Sequence, residues 1–348
     1  MELSPYEQQA LNEIEEHKRK LLNAPTRDFI PESARAAVSD AGGRALGKLN
    51  KVPGFTKATL KAQSGYIKAA EGLGQFAGTS AQTTLSEKRV LSAFTKRGHD
   101  VVTLRDIRSL DLQVVEERVM PRFFGHMYAT GAAVEGATAG AVISGGELLA
   151  AMGSVAGAGA GATPGVGTVA TVMCADAAAL LGICSRVVGH TAMYYGYDPS
   201  SPGEALFAMS VMNLGSAVTQ SGKFAAFMEL SAVTQGLARN ATWATLNRRV
   251  LPRVAQRFAS AFGLRMTKTK LGQMVPVVGI AAGAGLNYLI VSRVASAAQW
   301  SYRERFINEK RQADGLYVPP RPEDFMEPPE GAIDLMQFIE ADDDERVP

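Results

Sequence analysis

Cysteine is nearly absent, with only Cys174 and Cys184 in 348 residues. They stand ten residues apart in an apolar, Ala-rich run, which is neither metal-ligand nor redox-pair spacing. A disulfide-stapled domain and a zinc module are thereby excluded, and buried packing is the expected role of both. Aromatic residues make up only 7% of the chain, too few in its basic part to form a stacking platform for single-stranded nucleic acid. The opening stretch, MELSPYEQQALNEIEEHKRK, has no apolar core behind a basic start, so no secretory signal is expected and a cytoplasmic location is. Catalytic templates are missing as well. There is no HExxH, no GxSxG, no phosphate-binding GxxxxGK[ST] and no GxGxxG behind a credible strand; the run GAGAGATPG lacks the Lys-Ser/Thr pair. His17, His99, His126 and His190 are scattered along the chain, so no metal site is expected, and no cofactor is implied. An enzyme is therefore the less favoured class.

Charge is present but unevenly spread. The net charge of +2 is the remainder of a +10 block at residues 230–303, which contains no acid, and a −8 end at residues 304–348. Between Glu147 and Asp176 lie 28 uncharged residues, enough by count to cross a bilayer. Six of them are Gly, and Pro164-Gly165 breaks the run in the middle, so its transfer energy is weak. Gly153, Gly157, Gly161 and Gly165 recur every fourth residue, which suits close helix packing. A buried hairpin is expected over a membrane-inserted one, and a mean hydropathy of −0.01 argues against a polytopic membrane protein.

The rest of the chain reads as helical. Pro5 suits a helix start, Leu11, Ile14 and Leu21 share a face, and Pro25 ends the run. A second helix is expected near Pro31 and Glu32, and a third over Thr59 to Phe76. Thr103 is a plausible N-cap for a short helix holding Leu104 and Ile107. Pro276 suits the start of a long Gly-rich helix, QMVPVVGIAAGAGLNYLIVSRVASAAQWSYRERF. No βαβ rhythm occurs, so the expected fold is all-α: one helical domain over residues 1–315 with a Gly/Ala-rich core, then a Pro-rich acidic extension over 316–348.

Two groups of residues could carry function. The first is polar and lies in apolar surroundings. Asp176, Arg186 and His190 share a helical stretch, with Arg186 and His190 four apart on one face. Tyr194, Tyr197 and Asp198 follow at the helix exit, where Gly196 suits a C-cap and Asp198 a turn. Asn287 is a polar residue among Gly, Leu and Ile. These residues would form either a satisfied core network, in which a hydrogen-bond pair linking the two Gly-rich elements satisfies Asn287 and Asp176, or a small-ligand pocket made from Asp176, Arg186, His190 and Asn287. The second group is the basic block: Arg248, Arg249, Arg253, Arg257, Arg265, Lys268 and Lys270. Arg249, Arg253 and Arg257 form an i,i+4 stripe opposite Val250, Leu251, Val254 and Phe258, suited to an anionic membrane surface or an acidic protein. The alternative is that the protein's own acidic end covers it. Nucleic acid is disfavoured because no recognised module accompanies the charge.

An acidic helix residue, then YYGYDPSSPGEALF, then the long Gly-rich segment, together resemble the EcsC family, named after a gene of an ABC-transporter operon. The resemblance runs roughly from Leu11 to Phe306. It implies a common fold and a link to membrane transport, and no particular reaction. It directs attention to Asp176, Tyr195, Gly196, Tyr197, Asp198, Pro199, Pro276, Gly279, Gly283, Asn287 and Arg303, and more weakly to His99-Asp100. The chain departs from the family at Asp176, which is followed by Ala177 and Ala178 rather than an apolar residue and Pro. The leading expectation is a non-enzymatic accessory or scaffold protein, peripheral at the inner face of the cell membrane. An enzyme or small-ligand protein built on Asp176 and His190, and a structural homo-oligomer, are the alternatives.

Overall fold

Local capping decides where the first helix begins. In the computed structural model, which describes residues 3–23, 85–134, 179–217, 219–238 and 278–313, α1 runs Pro5–Asn23. Ser4 Oγ accepts the Glu7 N–H at 3.2 Å and Glu7 Oε2 accepts the Ser4 N–H at 3.1 Å, a reciprocal capping box with Pro5 at the first helical position. Its buried row is Glu7, Ala10, Ile14 and Lys18, so two charged residues point inward beside two apolar ones.

Helix α2, Glu87–Thr95, is capped by Ser86 and buries Val90 and Phe94. The expected Thr103 cap is present at α3, Leu104–Ile107, where Asp106 Oδ2 accepts the N–H groups of Val102 and Thr103 at 2.9 and 2.7 Å. A π-helical turn, Val114–Val119, follows. Next come α4 over 124–134 and α5 over 179–194. Helix α5 ends in a Schellman motif: the Tyr197 N–H reaches Ala192 O at 2.9 Å, the Gly196 N–H reaches Met193 O at 3.1 Å, and Gly196 takes φ +84°. Pro202–Ser216 forms α6 with Pro at its start, and Gln220–Ala238 forms α7. The long helix is α8, Val278–Ala313, 36 residues.

Among the described residues there is no strand, and the fold is all-α. Helix α6 packs between α7 and α8, and α1 lies against both α7 and α8. At Gly215 the α6 and α8 backbones come so close that a Cβ would stand 2.6 Å from Val294 Cα. Among the described residues, Tyr195, Tyr302, Phe94, Phe207 and Phe306 are the largest fully buried side chains. Among the described residues the core also holds charged side chains, since Glu7, Lys18, Glu204, Lys223, Glu229, Arg303 and Arg305 are buried in it. The expected Gly-rich hairpin, the helices expected near Pro31 and over Thr59 to Phe76, and the acidic extension lie outside the described residues.

Candidate functional site

Helix α5 gathers three of the expected polar residues on one face, because Arg186, His190 and Tyr194 follow at four-residue steps. The His190 ring stacks on Tyr194 at 5.2 Å between centroids, meets Phe124 edge-on at 4.8 Å, and places Nδ1 3.1 Å from Tyr128 Oη. Burial, with the charges of Arg186 and Arg89, pushes the imidazole down to about 4. The neutral ring is therefore a hydrogen-bonded aromatic packing element and not a base poised near neutrality. Its titration has a definite sign: the folded state refuses a proton that the unfolded chain accepts at about 6.5. Stability is full above that pH and is lost as pH falls towards 4. A loss of about 2 kcal/mol is expected over this window, after discounting for the part of the ring that stays exposed. Urea denaturation of wild type and His190→Phe at pH 4 and 7 measures it, and an equal pH dependence of the two would refute it.

The remaining expected residues separate. The chain reverses at Gly196, and Tyr197 enters the core against α8, with its ring 4.1 Å from the Arg305 guanidinium and 5.3 Å from that of Arg108. Asp198 closes an Asx turn, accepting the Ser200 N–H at 2.9 Å. Asn287 is fully buried and engaged with other groups. Cys184 is buried, and burial pushes its thiol up to about 12, which makes it an inert packing residue. Asp176, Cys174 and the seven cations from Arg248 to Lys270 lie outside the described residues. Among the described residues, no group of three or more His, Cys, Asp or Glu is placed to hold a metal ion.

Sequence reasoning missed Glu116, which the π-helical turn carries into the interior. Its Oε2 accepts from Tyr6 Oη at 2.8 Å and its Oε1 from Tyr195 Oη at 2.7 Å. Arg303 Nε stands 3.1 Å from Oε1, off the N–H direction, while Arg303 Nη1 binds Glu13 at 2.7 Å. Burial raises the Glu116 carboxyl against the pull of Arg303 and the two phenols. The cluster borders a polar cavity of about 570 Å³ shared with Arg122, His126 and Gln299.

Further long-range polar links join the last turns of α8 to the rest, among them Arg108 to Glu309 at 3.0 Å. Lys310 Nζ meets Glu7 at 2.5 Å, Lys18 meets Glu304 at 2.6 Å, and Arg305 meets Glu204 at 2.8 Å. In sequence, residues 303–310 look like an ordinary solvated charge run. What could have flagged them is the phase of Tyr302, Phe306 and Ile307, all buried, which leaves little exposed face between them. A second cavity, of about 340 Å³, opens between α1, α6, α7 and α8.

The model of the EcsC protein family matches residues 7–307. The uncharacterized protein YdbA of Bacillus subtilis (strain 168) is 28% identical over 247 residues, which cover 70% of this chain and 77% of that protein. No solved structure matches.

Proposed function

The chain belongs to the EcsC protein family, and we propose that it is a non-enzymatic accessory protein that attaches peripherally to an anionic membrane surface. The observation that supports this is an exposed apolar row on α4. Phe123, Met127 and Val134 are 70%, 68% and 63% exposed, while Phe124, Ala129 and Ala132 on the opposite face are buried. The row follows helical spacing from the residue preceding α4, and exposed Arg118 and Arg122 stand at its head. Apolar side chains for depth and arginines for charge are the elements of an interfacial helix. Each large side chain transferred from water contributes about 1.5–3 kcal/mol. Among the described residues no helix is long and apolar enough to cross a membrane, so the attachment proposed is to the surface, at the inner face of the cell membrane. The basic block from Arg248 to Lys270 adds charge attraction, and the acidic extension at 316–348 restrains it by competing for the same cations.

Flotation with phosphatidylglycerol-containing and with phosphatidylcholine-only vesicles tests the reading. The full chain is expected to float with the anionic vesicles alone, more strongly after deletion of 316–348, and several-fold less as the Phe123→Ser/Met127→Ser variant. Flotation with neither vesicle type, including after the deletion, rejects it. Should the wild type instead gain mass with concentration and the double variant not, the row serves a second copy of the chain.

A further inference from the structure

Helix α2 turns a basic face outwards. Lys88, Ser92 and Lys96 lie on one row and Arg89, Ala93 and Arg97 on the next, and together they line a shallow depression. All four cations are exposed. None of them meets a carboxylate among the described residues: Arg97 Nη1 donates to Ala93 O at 2.9 Å, and Glu87 and Asp100, the nearest acids in the chain, pair with neither row. The cations form two pairs, Lys88 with Arg89 and Lys96 with Arg97, about 12 Å apart along the helix axis. Ser92 and Ala93 are short and leave the space between the pairs open. The Arg89 charge acts on His190 and that of Arg97 on Tyr194, while Phe124 of α4 meets both rings, at 4.8 and 5.7 Å between centroids. Helices α2 and α4 therefore reach the same stretch of α5, which brings the cations and the exposed row of Phe123 and Met127 to one part of the surface.

We propose that this face of α2 binds the headgroup of a membrane lipid that carries two phosphates, one phosphate at each pair of cations. It rests on the membrane attachment read from α4 and adds which lipid is selected. Two linked phosphates engage both pairs for the ordering of one molecule, whereas singly charged headgroups must be gathered two at a time. Lysine and arginine hold phosphate oxygens by charge-assisted hydrogen bonds. A nucleic acid also offers phosphates in series, but it gives the apolar row beside the cations nothing to enter.

Flotation of the full chain with two sets of vesicles tests the selection. Both sets are phosphatidylcholine with the same total anionic charge, one supplied by diphosphatidylglycerol and the other by twice as many molecules of phosphatidylglycerol. Wild type is expected to need at least about threefold less lipid with diphosphatidylglycerol. Arg89→Gln/Arg97→Gln should need equal amounts of the two while still floating with phosphatidylglycerol. Lys88→Gln/Lys96→Gln, which shares the readout, replaces it should that variant not fold. Arg19→Gln/Arg105→Gln removes as much charge at exposed positions of α1 and α3 and should keep the preference. Equal lipid requirements for wild type overturn the proposal and leave attachment standing, whereas flotation with neither set removes attachment and the lipid preference with it. A preference that survives Arg89→Gln/Arg97→Gln, or is lost in Arg19→Gln/Arg105→Gln, also overturns it. So does tighter binding of a fluorescent oligonucleotide than of either vesicle set, lost in the α2 variants, which would assign the face to nucleic acid.

Discussion

Arg305→Met is expected to lower the stability of the fold by about 3–5 kcal/mol at neutral pH, because it strands a buried carboxylate. Arg305 Nη1 stands 2.8 Å from Glu204 Oε1, with the two side chains 10% and 7% exposed. Its Nε bonds Glu309 at 2.9 Å, and its guanidinium lies 4.1 Å from the Tyr197 ring and 4.9 Å from that of Phe207. Burial already raises the Glu204 carboxyl, with Arg305 opposing it. Without the arginine, Glu204 keeps, among the described residues, the 3.5 Å bond from Tyr302 Oη, and its pKa rises further. A carboxyl raised in the folded state favours folding while it is protonated. That contribution is present below the ordinary carboxyl pKa and is lost as pH rises through the folded value. The variant should therefore approach wild type at pH 4–5 and fall furthest below it at pH 7–8. Urea denaturation across this range measures both the loss and its sign. Adding Glu204→Leu should recover most of the stability, since a packed apolar pair replaces a buried ion pair at little cost. Equal urea midpoints for wild type and Arg305→Met at neutral pH would show that the pair contributes nothing net.

The same region shows what could be read from sequence and what could not. Signals that act within a few residues were legible: Pro5 at a helix start, Thr103 as a cap, Gly196 as a C-terminal stop and Asp198 in a turn. Their chemistry is local, so each carries its evidence in its own neighbourhood. The family resemblance pointed to Tyr195, Tyr197 and Arg303, but not to their tasks. Those depend on partners such as Glu116, which is 79 residues from Tyr195 and reaches it only through tertiary packing. Arg303 and Arg305 were hardest to separate. Two residues apart on a helix, they point to opposite sides, Arg303 towards Glu13 and Glu116 and Arg305 towards Glu204. A helix that buries cations on two sides has no clean apolar stripe, and so loses the periodic signal by which a core helix is usually recognised. The charge arithmetic changes accordingly. Glu304 and Glu309 belong to the acidic end by count, yet they bind Lys18, Arg305 and Arg108 inside the described fold. Arg303, counted in the basic block, is held by Glu13 and Glu116. Part of each pole is therefore paired within the described fold, and the charge of neither pole can be taken whole from composition.

Gly196→Ala is expected to be the other severe change, and Gly98→Ala supplies its control. Both glycines have φ +84°, a conformation that costs an L-residue roughly 1–2 kcal/mol. They differ in their surroundings. A Cβ at Gly98 meets nothing within 4 Å, whereas one at Gly196 would stand 2.6 Å from Leu104 O, 2.8 Å from Arg108 Cγ and 3.2 Å from Arg108 N. Two of those atoms belong to the backbone at α3, which cannot withdraw as a side-chain end can. Overpacking of this kind adds about 1–3 kcal/mol, so Gly196→Ala should cost about 2–5 kcal/mol and Gly98→Ala about 1–2 kcal/mol. The position also sits between Tyr195, bonded to Glu116, and Tyr197, packed on Arg305. A shift of the turn therefore loosens both polar clusters at once. Combining Gly196→Ala with Arg305→Met should give a loss smaller than the sum of the two, because each variant already disturbs the Tyr197 contact. Denaturant unfolding of the two glycine variants and the double variant supplies every quantity. Equal losses at Gly98 and Gly196 would show that α3 yields to the added methyl group and that the close approach is not tightly held.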